Sequence, residues 1–234
     1  MFRRIVCLLI VCWGLGVNVT GQQTKAASSF HALPGYVVDE RFSALRREPG
    51  LTGRIIERMR LGRFIAVLPQ RRRVDGMMFY RVALSRRRRG WVCDRAFVLA
   101  GRPGHDVRLL HLIEEAEGFR RLVLARLLIT QFRQSPLRPR ALLILGEEAD
   151  GAAQALSQEV RRREPPPARD EELSPRQWYL NDERLDRYNR LGIVFEYDET
   201  LGAYRYDGWA YREILRRYPT SAEAARAAQR LKER

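Results

Sequence analysis

The hydrophobic residues of this 234-residue chain change their spacing at one short segment, GRPGHD, residues 101–106. Between residues 35 and 100, short apolar runs rich in β-formers are separated by turn residues. After residue 106, apolar residues recur three or four positions apart, as they do on one stripe of a helix. The sequence therefore predicts the α+β class, with a sheet-forming half followed by a mostly helical half.

The strands predicted between residues 35 and 100 are short and closely spaced, with no room for crossover helices between them. Such strands pair in antiparallel fashion, which predicts a small barrel. In the run MMFYRVAL the side chains alternate between a core face and a wetter face. One parity holds Met78, Tyr80, Val82 and Leu84, and the other holds Phe79, Arg81 and Ala83.

Four motifs of this half follow one another along the chain: ALR with Pro49, the LG turn at residues 61–62, the strand DGMMFYRV, and the tripeptide GWV at residues 90–92. In these motifs the chain resembles a bacterial SH3 domain, a small barrel appended to many exported proteins. The resemblance implies an SH3-like barrel over residues 35–100 that binds an extended peptide or glycopeptide along an aromatic groove. It points to Trp91, Tyr80 and Phe79 as candidate ligand-binding residues, although the family often has Trp at the position of Phe79. A core role for Trp91 is the alternative.

The second half divides into three predicted parts: helical hairpins over residues 105–163, a Pro-rich linker over residues 164–177, and a helix, a β-hairpin and a helix pair over residues 178–234. The apolar stripe from residue 107 to residue 132 predicts one helix that bends at Gly118. A second helix is predicted to start at Pro139, and a third to carry Ala153, Leu156 and Val160.

Alternating aromatic residues on either side of DETLG predict the β-hairpin. They are Phe195, Tyr197, Tyr204 and Tyr206, preceded in the same alternation by Ile193. In the helix pair that follows, Thr220 and Glu223 have the spacing of a capping box.

The helical half also contains an internal repeat. When Phe132 is aligned with Tyr218, Ser135 falls on Ser221, and both copies run helix, aromatic residue, short turn with Ser, helix. The second copy resembles a tetratricopeptide-type helix pair. Because such pairs bury their faces by stacking, the resemblance implies a short helical stack that binds another protein.

Residues 1–21 have the layout of a secretory signal peptide: Arg3 and Arg4, then an apolar run, then small residues. The apolar run of about 15 residues is shorter than the roughly 20 that a membrane-spanning helix needs. We therefore expect cleavage after Gly21, contact with the membrane only during export, and a periplasmic or extracellular location.

The formal net charge of +15 raises nucleic acid or an anionic surface as a partner. Nearly all of the 43 basic residues are arginine, which we interpret partly as a compositional bias spread along the chain. Two runs, Arg71–Arg73 and Arg86–Arg89, are expected in turns on either side of one strand, either converging or at opposite ends. Arg86 and Arg87 are the candidates for contact with an anionic polymer, and solvated loops are the alternative. Nucleic acid is not expected as the partner of an exported protein.

Exported SH3-like domains often accompany cell-wall hydrolases, which need a nucleophile with its base or two converging carboxylates. Cys93 lies in or beside a predicted strand, and the three histidines are His31, His105 and His111. His111 and Glu114 share a helical face, but zinc needs three or four ligands around one point. We therefore predict no catalytic residue, no metal and no cofactor.

These observations predict an exported, non-enzymatic protein of the cell envelope. Its barrel is expected to bind peptidoglycan or an extended peptide, and its helical region a protein partner. Two alternatives are a cell-wall hydrolase or its accessory, and a basic protein that binds polyanions. Affinity that falls steeply with salt would be typical of the polyanion-binding protein.

Overall fold

The computed structural model describes residues 32–162 and 174–233. The predicted signal peptide, His31 and residues 164–173 of the predicted linker lie outside these ranges. The described residues belong to one compact unit that combines helices with strands. The predicted α+β class is therefore confirmed.

Seven strands of the first half form one sheet: β1 (Leu33–Val37), β2 (Ala44–Arg46), β3 (Ile55–Arg58), β4 (Phe64–Val74), β5 (Met77–Ala83), β6 (Arg89–Cys93) and β7 (Phe97–Leu99). Their order is β3-β2-β6-β5-β4-β1-β7, and every neighbouring pair is antiparallel. The two edge strands, β3 and β7, are not paired with each other in this sheet. The described sheet is therefore open, and the expected closure into a barrel is not found in its hydrogen bonding.

One face of the sheet, called the inner face here, forms an apolar core. Leu45 on β2 and Leu99 on β7 belong to this same core, although they lie near opposite ends of the strand order. The sheet is thus strongly curled around its inner face. The predicted core side of β5 is confirmed for Val82, which is fully buried, and for Tyr80 and Leu84, which pack beside it. Phe79 was predicted on the wetter face, and this prediction is wrong, because only 1% of it is exposed.

The glycine of the GWV motif is required by a close approach between strands. A Cβ at Gly90 would lie 2.5 Å from the carbonyl oxygen of Arg46 and 2.8 Å from the side chain of Leu45. No other residue fits between β6 and β2 without moving the backbone.

The first arginine run was predicted to lie in a turn, and this prediction is wrong. Arg71, Arg72 and Arg73 belong to β4, where they pair with residues 80, 79 and 78 of β5. The turn itself is formed by Asp75 and Gly76, both of which have positive φ angles of 50° and 74°. Seven-residue β5 separates this turn from the one that holds Arg86 and Arg87, so the two runs lie at opposite ends of the strand.

The second half contains α1 (His105–Glu115), α2 (Gly118–Gln131), α3 (Arg138–Arg161), α4 (Pro175–Leu180), α5 (Asp186–Asn189), the hairpin strands β8 (Phe195–Asp198) and β9 (Ala203–Tyr206), α6 (Trp209–Arg217) and α7 (Ala224–Lys232). The predicted β-hairpin is confirmed. The last residues of the predicted linker belong to α4, which Ser174 caps in a capping box with Gln177.

Three helix boundaries differ from the predictions. The bent helix of residues 107–132 is two helices, because Ala116 and Glu117 are extended and Gly118 has a φ of +57°. The two helices expected between residues 138 and 161 are one, since Gly151 leaves the helical hydrogen bonding intact. The capping box at Thr220 and Glu223 is wrong: α7 starts at Ala224, and Glu223 makes no side-chain cap.

The two helix pairs of the internal repeat have the same turn geometry. The N–H of Phe132 donates to Leu128 O after α2, and the N–H of Tyr218 donates to Ile214 O after α6. In each turn a serine follows, Ser135 or Ser221, whose N–H donates to the aromatic residue's carbonyl at 3.0 Å. The repeat seen in the sequence therefore extends to matching helix ends and turns.

The aromatic residues of the hairpin pack into the helices. Tyr204 and Tyr206 are buried, and the ring of Tyr206 lies 6.3 Å from that of Tyr211 on α6. The hydroxyl of Tyr211 in turn donates to Asp150 on α3 at 2.6 Å. The aromatic residues of the hairpin therefore pack on the helices.

The sheet and the helices share one interface. On the outer face of the sheet, Val98 and Tyr36 pack into the same core as Leu109 of α1, and the Tyr36 hydroxyl donates to Gln131 on α2 at 2.7 Å. The outer face near β1 and β7 is therefore covered by helices.

The contact between α3 and α6 depends on Gly146. A Cβ there would lie 2.6 Å from the ring of Tyr211, which is fully buried and cannot move aside. We expect Gly146→Ala to lower the free energy of unfolding by about 1–3 kcal/mol, the usual effect of overpacking. Urea denaturation measures this change.

Gly151→Ala is the matched control on the same helix, because no atom lies within 4 Å of the added Cβ. It should raise stability by about 0.5–1 kcal/mol, since alanine has the better helix propensity. Equal effects of the two substitutions would contradict the packing described for Tyr211.

Candidate functional site

Strand pairing places one tryptophan and several arginines on the outer face of the sheet. Residues directly opposite each other in antiparallel strands share a face. Across β5, β6 and β2, Arg81 pairs with Trp91, and Trp91 pairs with Arg46. Arg89, Arg72 and Arg58 lie on the same face by their pairing with residues 83, 79 and 44. We call these six residues the arginine–tryptophan face.

No carboxylate of the described strands β2 to β6 shares this face. Glu57 is the one acidic residue in them, and it pairs with Leu45, whose side chain points to the inner core. The arginine–tryptophan face is therefore strongly cationic, with its charges on rigid strands.

Trp91 is the aromatic centre of the face and is partly exposed. The guanidinium of Arg81 lies over its indole ring at 5.6 Å from the ring centre. On the other side, Arg46 donates to the carbonyl of Gly53 at 2.7 Å, which fixes its direction. The indole, the guanidinium of Arg81 over it and the arginine of the neighbouring strand can together hold a ligand that has both an apolar surface and carboxylate or phosphate groups.

The other two aromatic candidates do not share this surface. Phe79 has Arg81's parity but is only 1% exposed, so it has no surface for a ligand. Tyr80 pairs with Val92 toward the inner core, and its ring lies edge-on to Phe97 at 5.7 Å. The expected groove of three aromatic residues is therefore reduced to Trp91.

Arg86 and Arg87 are exposed at the turn that joins β5 to β6. The N–H of Leu84 donates to Arg88 O at 2.9 Å, and the N–H of Arg88 donates to the hydroxyl of Ser85. Arg88 itself is paired with Glu57 at 2.7 Å. The turn thus holds Arg86 and Arg87 in solvent beside Arg89, at one end of the arginine–tryptophan face.

Positive charge is concentrated in the sheet half, contrary to the expectation that it is spread along the chain. Residues 33–99 contain sixteen arginines and six carboxylates, a net charge of +10, whereas residues 105–234 have a net charge of +1. A count by segment would have found this imbalance. The pairing of Arg81 and Arg46 with Trp91 could not be found in that way, because it depends on strand register.

Among the described residues considered for catalysis, Cys93, His105 and His111 make no hydrogen bond to one another. Cys93 is buried, its thiol lies 3.6 Å from Asp94 Oδ1, and burial raises the pKa of that thiol. His111 is exposed on α1. Within residues 32–162 and 174–233, no three His, Cys, Asp or Glu side chains are grouped as metal ligands would be.

His105 has a structural contact. Its Nδ1 accepts the N–H of Leu99 at 2.9 Å, which joins β7 to the start of α1. Burial lowers the pKa of His105, and the neighbouring Arg102 and Arg108 cations lower it further. The imidazole is therefore held neutral, as an acceptor must be.

Comparison with family models, with curated proteins and with solved structures finds no match to this chain. No helix in the described ranges is long and apolar enough to cross a membrane.

The lowered pKa of His105 predicts a pH dependence of stability. Because the folded state disfavours protonation, the stabilisation is complete above about pH 6.5, the ordinary pKa of histidine, and is lost as pH falls through the lower folded value. His105→Asn should remove this contribution to the pH dependence of the free energy of unfolding, measured by denaturation between pH 4 and pH 8. The exposed His111→Asn serves as the control. If both variants follow the parent's pH profile, the role given to His105 is wrong.

Proposed function

We propose that this chain is an exported, non-catalytic binding protein of the cell envelope. Its sheet half holds peptidoglycan or an extended peptide against the arginine–tryptophan face, and its helical half binds a protein partner. The main support is the position of Trp91, which is partly exposed between Arg81 and Arg46.

The arrangement suits a chain-like ligand with carboxylate groups. Trp91 offers an apolar surface, while the arginines on both sides offer donors in the fork geometry that matches a carboxylate. The stem peptides of peptidoglycan carry such carboxylates. We do not assign a reaction to this surface, since its side chains supply no nucleophile and no general base.

The two family resemblances belong to the same proposal. An SH3-like fold for residues 35–100 is supported by the curled antiparallel sheet and by Gly90 at the contact between β6 and β2. A tetratricopeptide-like arrangement is supported by the matching ends of the α2–α3 and α6–α7 pairs. Such a stack would present its helices to a protein partner.

The concentration of charge favours a second candidate, a protein that binds polyanions. The net charge of +10 over residues 33–99 includes the exposed Arg86 and Arg87. A polyanion held in this way would be released by salt, whereas a ligand held on Trp91 would depend on the indole ring.

A pull-down of the full chain with purified peptidoglycan at low and high salt tests the proposal. We expect retention at both salt concentrations and a loss of affinity of about tenfold or more in Trp91→Ala, as for a central aromatic residue of an interface. Trp178→Ala is the control, because Trp178 is 38% exposed on α4, which packs against the hairpin strand β8. Absence of retention at either salt, or equal effects of the two substitutions, contradicts the proposal.

A second pair of variants separates the polyanion-binding function. Arg86→Gln with Arg87→Gln removes two exposed charges next to the arginine–tryptophan face, and Arg161→Gln with Arg162→Gln removes two exposed charges at the end of α3. If retention is lost at high salt and only the first pair reduces the salt dependence, the protein is a polyanion binder.

A further inference from the structure

A concave site lies where the turn between β3 and β4 meets the start of α2. This cavity of about 290 Å³, the seam pocket, is lined by Glu40, Arg60, Leu61, Phe119, Arg120 and Val123. Gly62 makes the approach possible: its φ is +76°, and a Cβ there would lie 3.3 Å from Val123 Cγ1. The pocket is therefore built from the sheet half and the helical half together.

The floor of the seam pocket is apolar. Leu61, Phe119 and Val123 stay partly exposed, whereas Leu122 and Leu124 on the same helix are fully buried. The ring of Phe119 is held in place by Tyr188, whose ring is edge-on at 5.4 Å. Three partly exposed apolar side chains at a concave junction are typical of a small-molecule site.

The rim of the seam pocket is cationic. Arg60 and Arg120 are exposed, and among the described residues neither is joined to a carboxylate by an ion pair. Against the opposing effect of burial, the hydrogen bonds from Arg41 lower the pKa of Asp39, and the positive charge of Arg120 lowers it further. The guanidinium of Arg187 lies 5.1 Å from the ring centre of Phe119. Glu40 is the acidic lining residue, and its Oε1 accepts the N–H of Leu61 at 2.9 Å.

We propose that the seam pocket binds a small amphipathic carboxylate, with its apolar body on Leu61, Phe119 and Val123 and its carboxylate at Arg60 and Arg120. Burial of the apolar body provides affinity, and the two guanidinium groups select a negative head group. The site is separate from the arginine–tryptophan face and does not depend on the function proposed for that face.

Three probes with the same chain length and different head groups test the proposal: octanoate, octanol and octylammonium. Isothermal titration of the full chain should show one site that binds octanoate best, octanol more weakly and octylammonium least. Arg60→Gln with Arg120→Gln should weaken octanoate by about tenfold or more, as for lost bonds to a charged group, and leave octanol unchanged. Equal affinity for octanoate and octylammonium overturns the proposal.

Two further variants change the floor and the competing charge separately. Val123→Thr keeps the shape of the side chain but replaces a methyl group with a hydroxyl. Burying that hydroxyl under an apolar ligand is unfavourable, so octanoate and octanol should both bind more weakly. Glu40→Gln keeps the acceptor for the N–H of Leu61 and removes the negative charge, so octanoate should bind several-fold more tightly. Unchanged octanoate affinity in both variants would place its binding elsewhere.

Matched controls separate this site from the rest of the sheet half. Arg71→Gln with Arg72→Gln removes two exposed charges of β4, and Trp91→Ala alters the arginine–tryptophan face; both should leave octanoate affinity unchanged. Vesicles of phosphatidylglycerol provide a second arm. Binding to vesicles that is lost in the Arg60 and Arg120 double variant, without binding of free octanoate, would overturn the proposal in favour of a lipid surface.

Discussion

Arg108 is the residue on which the joining of sheet and helices depends. From α1 its guanidinium donates to three backbone carbonyls of the segment that leads into β7: Asp94 O at 3.2 Å, Arg95 O at 2.7 Å and Phe97 O at 3.1 Å. An edge strand leaves carbonyls without strand partners, and the five donors of an arginine suit such a group of acceptors. Arg108 therefore fixes α1 over the β7 edge, with His105 as a second contact on the same strand.

This attachment divides the outer face of the sheet into two parts. Near β1 and β7, Tyr36 and Val98 are packed into the core of the helices. On β5, β6 and β2, the same face carries Arg81, Trp91 and Arg46, and Trp91 is partly exposed there. The seam pocket lies where the turn between β3 and β4 meets α2, and the arginine–tryptophan face lies on β2 to β6.

The parts of the fold that depend on local pattern could be predicted from the sequence. The alternating aromatic residues of the hairpin at residues 195–206 specify which side is buried, and all four are buried in the structure. The ends of the helices could not be predicted from local pattern. The helical conformation stops at Ala116 and Glu117 without a proline, and it continues through Gly151. Both outcomes differ from what the propensity of single residues indicates, since such propensity is a weak guide.

The candidate site was predictable only in its centre. Trp91 could be found because GWV is a local motif, but the burial of Phe79 depends on what covers the strand from outside. The pairing of Arg81 and Arg46 with Trp91 depends on register, which turns and bulges set. Leu61 and Phe119 are far apart in sequence, so nothing local joins them before the chain folds.

The edge strand β3 has a consequence for how copies of this protein meet at high concentration. An open edge with exposed isoleucines, here Ile55 and Ile56, is a template for pairing with another chain. In this protein the edge is four residues long, its register shifts beside Arg46, and it ends in Arg58. Short length, a bulge and like charges each oppose edge-to-edge aggregation. The arginines of the sheet half thus also keep neighbouring molecules apart, whatever ligand they bind.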